Sequence, residues 1–153
     1  MRWDKLTTME YQYFIASRWR NKEIVEELTE KIRNKGKTVY CFLEEETNNS
    51  EIKITKEDLS PDDFMNKFES IPDWKNNPEV RKIFEIDMSA LKNSEKLILL
   101  LPAGKSAHIE AGVAYGMGKT CIVIGEQTEA QSLYLIFNKF YNSIDDFIST
   151  LNH

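Results

Sequence analysis

A chain of 153 residues fits one domain, since domains cluster at roughly 100–150 residues and a chain this long buries about two-thirds of its unfolded surface. Twenty Lys and Arg against 25 Asp and Glu give a net charge of −5, which argues against a general nucleic-acid binder while leaving room for a local small-anion site. Cys41 and Cys121 each sit inside an apolar run, and with only His108 and His153 beside them they make a poor zinc set. Buried free thiols in a reducing compartment are expected, with no metal and no cofactor. No apolar run approaches the ~18 residues of a membrane span, and MRWDKLTTMEYQ lacks the apolar region of a signal peptide. The expected class is a soluble, cytoplasmic, single-domain globule over residues 1–153, acting on neither membrane nor nucleic acid.

In chain order, YQYFIA (Tyr11 to Ala16) is apolar, aromatic and β-branched, which predicts a buried strand. Ser17 opens a turn, and Asn21 to Lys35 reads as a helix with Ile24, Val25, Leu28 and Ile32 on one face. Gly36 stands where a C′ glycine ends a helix, and TVYCFLE (Thr38 to Glu44) follows as the second strand. Glu44 to Ser60 is polar and acidic without helical period, a surface excursion or a mobile lid. Ser60-Pro61 and Asn77-Pro78 each look like an N-cap with Pro at the first helical position, starting helices that run to about Ser70 and through Leu91. LILLLP (Leu97 to Pro102) reads as a strand covered on both faces, and TCIVIG (Thr120 to Gly125) as the next. SLYLIF (Ser132 to Phe137) is the fifth β-type run, and a terminal helix starts at an Asn142-Ser143 cap. Five such runs joined by helical crossovers predict an α/β domain: a doubly wound, five-stranded parallel sheet of Rossmann or flavodoxin-like type, with helices on both faces.

Ligands of such folds bind at the carboxyl ends of the strands, so the loops just after strands hold the candidate residues. After strand one, Ser17, Arg18, Trp19, Arg20 and Asn21 bring a hydroxyl, two guanidinium groups and a helix start together, an arrangement suited to an anion. The alternative is that Ser17 only caps the helix and the arginines are solvated. After the third strand, Pro102-Ala103-Gly104-Lys105-Ser106 leads into a helix with Ser106 as its expected N-cap and Glu110 about one turn inside. Small neighbours Ala107, Ala111, Gly112 and Ala114 leave room beside that carboxylate, which is either catalytic or merely an acid near a helix start. Gly116-Met117-Gly118-Lys119-Thr120 ends like a P-loop, but Val113 stands where its first glycine belongs and the order is helix to strand, so Gly118 is read as a C-cap. Trp3, Phe64, Phe68 and Trp74 are candidates for a cap over the site or for an oligomer contact.

Taken together, YFIASRWR (13–20), DMSALKNSEKLILLLP (87–102) and HIEAGVAYGMGKTCIVI (108–124) resemble the nucleoside 2-deoxyribosyltransferase superfamily. The resemblance implies Glu110 as the nucleophile at a sugar's anomeric carbon, Asp87 as the residue that orients the sugar or handles a proton, and Tyr13 as a partner of the nucleophile. Within the superfamily the S-x-R turn is similar to that of the 2′-deoxynucleoside 5′-monophosphate N-hydrolases. That branch implies phosphate binding by Ser17, Arg18, Arg20 and Ser106, with Gly104 and His108 also at the substrate. The loop PAGKSAHIE departs from the family by its Lys105 and His108, and it also resembles the PGGxGTxxE motif of the cytokinin-activating phosphoribohydrolases. The implied partners are a nucleoside or nucleotide and a second copy of the chain, as homodimer or higher homo-oligomer. A non-catalytic nucleotide sensor, a phosphoribohydrolase of the cytokinin-activating type and a base-exchanging transferase are the alternatives.

Overall fold

The computed structural model describes residues 9–44 and 60–152. Its strands are β1 (Tyr11–Ala16), β2 (Val39–Tyr40), β3 (Ser94–Leu100), β4 (Thr120–Ile124) and β5 (Lys139–Tyr141). Its helices are α1 (Lys22–Asn34), α2 (Pro61–Glu69), α3 (Pro78–Lys92), α4 (Lys105–Gly116) and α5 (Ile144–Ile148). The five strands form one sheet in the order β2-β1-β3-β4-β5, and every pairing is parallel. The expected fold class is therefore present, in its flavodoxin-like order, with the switch point between β1 and β3.

The sheet carries an apolar layer on each face because side chains alternate along every strand. Phe14, Ala16, Leu97, Leu99 and Val123 point to the layer closed by α3 and α4. Tyr13, Ile15, Ile98, Leu100 and Ile124 point to the layer closed by α1 and α5. Leu97 through Leu100 are at most 2% exposed, and burying each such side chain stabilises the fold by roughly 1.5–3 kcal/mol. Ala107, Ala111 and Ala114 let α4 lie close on the sheet, all three buried.

Three of the helix caps and both helix-ending glycines read from the sequence are in place. Ser60, Asn77 and Ser143 cap their helices through their side chains, each accepting a backbone N–H. Gly36 and Gly118 adopt φ of 77° and 83° just past the ends of α1 and α4. Gly125, at φ 119°, is required on a second ground: a Cβ there would lie 2.8 Å from that of Leu101, where the β3 loop crosses the end of β4.

Three elements differ from expectation. The second strand is only Val39–Tyr40, because the chain turns into a 3-10 helix at Phe42–Glu44. SLYLIF is not a strand: Ser132–Ile136 is a 3-10 turn in which Tyr134 and Ile136 pack inward while Leu133 and Leu135 are exposed. The fifth strand is the edge segment Lys139–Tyr141, whose lone edge pairing needs no continuous apolar run. Of the acidic excursion after Glu44, residues 45–59 lie outside the described residues, as does Trp3. Among the described residues, no helix is long and apolar enough to cross a membrane.

Candidate active site

A cavity of about 470 Å³ opens at the carboxyl ends of β1 and β3, the size range of small-molecule sites. Its floor is Phe14 and Ala107, and Phe42, Phe64 and Phe68 form much of its apolar wall. Trp19 joins this wall with its ring 4.7 Å from that of Phe64 and 6.1 Å from that of Phe42. Phe64 and Phe68 thus border the site as expected, whereas Trp74 is 55% exposed beside Lys75 and does not line it.

Three carboxylates line the cavity, Glu69, Asp87 and Glu110, of which Glu69 is paired with Arg20. Asp87 comes from the middle of α3 and Glu110 from α4, and both line the cavity. Tyr40 at the end of β2 donates its hydroxyl to Asp87 Oδ1 at 3.1 Å. Glu110 stands deeper in its helix than expected. Gly104, not Ser106, is the N-cap: it is extended (φ −96°, ψ −163°) and its carbonyl accepts the first intrahelical bond from His108 N at 3.2 Å. Lys105 and Ser106 are consequently the first two helical residues, both lining the cavity, and Glu110 is the sixth. The helix N-terminus is then aimed at the space around Ser106, and its field at Glu110 is weakened because the effect fades beyond the first turn.

The loop after β1 is knitted to the loop after β3. Ser17 Oγ donates to the Leu100 carbonyl at 2.9 Å, while Asn21 Nδ2 donates to Ser17 Oγ at 3.1 Å and to the Pro102 carbonyl. Ser17 is therefore a tie between strands as well as a cavity-lining hydroxyl, and Asn21, at the end of the same loop, is a scaffold residue. Arg18 is exposed and donates from Nε to Asn21 Oδ1 at 3.4 Å. Arg20 is committed elsewhere: Nε donates to Asp62 at 2.8 Å, Nη2 to Asn66 at 3.1 Å, and Nη1 lies 3.5 Å from Glu69. Both arginines line the cavity, but the charge of Arg20 is answered by α2.

Two of the expected residues are not brought to the cavity. Tyr13 faces the α1 and α5 side, 6% exposed, with its ring 5.7 Å from that of Phe147. Strand alternation is the reason, since its neighbour Phe14 takes the cavity side. Burial, with the nearby Glu95 and Tyr141, holds the Tyr13 hydroxyl above the usual tyrosine range. His108 turns away toward the 3-10 turn. Its Nδ1 is 2.8 Å from the Gly104 carbonyl, which can only accept, so Nδ1 carries the hydrogen. In the neutral ring, Nε2 then accepts from the Tyr134 hydroxyl at 2.8 Å. His108 thereby buttresses the helix start whose first residues line the site.

Chemically, the cavity offers the carboxylates of Asp87 and Glu110, hydroxyl and cationic groups at the helix start, and an aromatic wall suited to a flat ring. Among the described residues there is no group of three or more His, Cys, Asp or Glu placed to hold a metal.

No protein-family model matches the chain, and no curated protein matches it in sequence. In structure it is similar to a 2-deoxyribosyltransferase from the psychrotolerant bacterium Bacillus psychrosaccharolyticus, with TM-score 0.58 and 16% identity over 89% of each chain. It is also similar to the CMP N-glycosidase of Clostridium botulinum, with TM-score 0.50 and 20% identity over 90% of this chain and 95% of that one. At these identities the likeness is one of fold.

Proposed function

We propose that this chain belongs to the nucleoside 2-deoxyribosyltransferase superfamily and cleaves or transfers the bond between base and sugar in a nucleoside or its 5′-monophosphate. The observation that carries the reading is the meeting of Asp87 and Glu110 in one cavity with Ser17, Arg18 and Ser106, at the strand ends. The shared fold with two enzymes named for deoxyribosyl transfer and CMP N-glycoside cleavage supports it.

Breaking an N-glycosidic bond builds oxocarbenium character at the anomeric carbon, which a carboxylate on the opposite face stabilises or captures. Glu110 attacks C1′ through one oxygen. The C1′–N bond breaks with its electron pair on the base, and the base takes a proton. Water then attacks C1′, the ester C1′–O bond breaks back to the glutamate, and the water's proton is lost to solvent; an incoming base in place of water gives transfer. Asp87 accepts from a sugar hydroxyl and fixes the ring against Glu110. A 5′-phosphate suits Arg18, Ser17 and the backbone N–H groups at Lys105 and Ser106, where a helix start favours an anion. Arg20 contributes less there, because Asp62 and Glu69 already answer its charge. We also propose that the chain works as a homodimer or higher homo-oligomer in the cytoplasm.

The test is a panel of ribo- and deoxynucleosides and their 5′-monophosphates, with free base followed by chromatography and E110Q as control. Base release that E110Q lowers by at least about 10³-fold is expected, the scale on which removing a nucleophile acts. Binding without release for every member of the panel, with and without acceptor bases, would sink the enzymatic reading in favour of a sensor.

A further inference from the structure

We infer that Tyr40 is a positioning residue for the reaction, aiming Asp87 through its hydroxyl; the inference rests on the reading of Asp87 and Glu110 just given. Tyr40 is 9% exposed at the carboxyl end of β2, and nothing in its sequence setting marks it. Parallel register places it directly beside Phe14 of β1, and the two rings stack with centroids 5.2 Å apart at 17°. Tyr11 closes on the same ring edge-on, at 5.5 Å and 65°. A phenol held by two rings has little rotational freedom, so its oxygen is fixed relative to the sheet. That oxygen donates to Asp87 Oδ1 at 3.1 Å.

Asp87 is carried by the middle of α3, and a hydrogen bond to Oδ1 favours the rotamers that keep this oxygen at the Tyr40 hydroxyl. The hydroxyl therefore ties a helix-borne carboxylate to the sheet that also carries Phe14 on the cavity floor. Both groups lie in one rigid frame, and the carboxylate is oriented before substrate arrives. Pre-orientation matters most as positive charge grows on the sugar ring, so its loss registers in the rate of the chemical step more than in ground-state binding. Tyr40 does not itself line the cavity, which separates this role from direct substrate contact.

The test is Y40F, which keeps the stacked ring and removes the donor, measured beside wild type on whichever nucleotide wild type cleaves. The expected result is a fall in kcat of roughly tenfold, the scale of one hydrogen bond, with KM within about twofold. The melting temperature should stay within a few degrees of wild type. Y40L serves as the packing control, because it removes ring and hydroxyl together and should lower the melting temperature. A Y40F enzyme with wild-type kcat would overturn the inference. So would a loss of rate that tracks a lowered melting temperature and vanishes on cooling, since the role would then be packing alone. If wild type itself releases no base, the functional reading fails first and this inference with it.

Discussion

At the scale of single residues, position within the protein decides chemistry more than residue type does. Cys121 lies under α4 with Sγ 3.8 Å from the Ala111 carbonyl, and burial pushes its thiol up to about 11. Burial also raises the Cys41 thiol and the Tyr13 hydroxyl. At pH 8 a thiol with that value is about one part in a thousand thiolate, so native Cys121 should resist iodoacetamide and react only on unfolding; rapid native labelling, read by mass spectrometry, would contradict its burial. The sign of the pH dependence follows from the same shifts. Each group holds its proton more tightly folded than unfolded, so its contribution is lost as pH rises; for Cys121 it is intact below about pH 9 and lost as pH rises toward about 11. Urea midpoints should therefore fall across that window, and a midpoint that rises there would contradict the burial of these groups.

At the scale of elements, helix α4 is the piece on which the site depends. Its buried face is Ala107, Ala111 and Ala114, so its backbone sits close to β3 and β4 and its first residues reach the cavity. A large side chain on that face has nowhere to go: A111L should cost about 1–3 kcal/mol in denaturant titrations by overpacking. If the leucine were tolerated without loss, the close approach of α4 would be wrong. Helix α2 is held differently, by the Arg20 contacts to Asp62, Asn66 and Glu69 and by Phe64 against Trp19. The acid-rich first turn beyond Ser60 thus does two jobs, favouring the helix start and holding Arg20.

At the scale of the whole molecule, the far edge of the sheet is the feature left open. Leu133, Leu135 and Phe140 are 79%, 83% and 58% exposed, near the edge strand β5. The homo-oligomer proposed above would find its apolar contact here, and the test is direct. Light scattering on a sizing column should give a multiple of 17.9 kDa, and L133E together with L135E should shift it to that mass with the fold intact by circular dichroism. A wild-type chain eluting as monomer at micromolar concentration would remove the oligomer from the proposal.

Short-range chemistry is recorded in the order of residues. Apolar runs and alternation marked β1, β3 and β4, caps at Ser60, Asn77 and Ser143 marked helix starts, and Gly36 and Gly118 marked helix ends. The fifth strand was misplaced because SLYLIF has a strand's composition, while Lys139–Tyr141 is an edge segment with almost no pattern of its own. In the candidate site, the loops after β1 and β3 were legible as cavity lining, since a parallel sheet sends its carboxyl-end loops to one place, whereas Asp87, in the middle of α3, was named only through the family resemblance. Direction and pairing came from the docking of elements. Alternation states that Tyr13 and Phe14 face opposite ways, but only the packing of α3 and α4 says which face holds the cavity. The partners of Arg20 lie more than 40 residues away, and Tyr40 meets Asp87 across 47. Such contacts arise where separate elements dock, and nothing in the local order of residues records them.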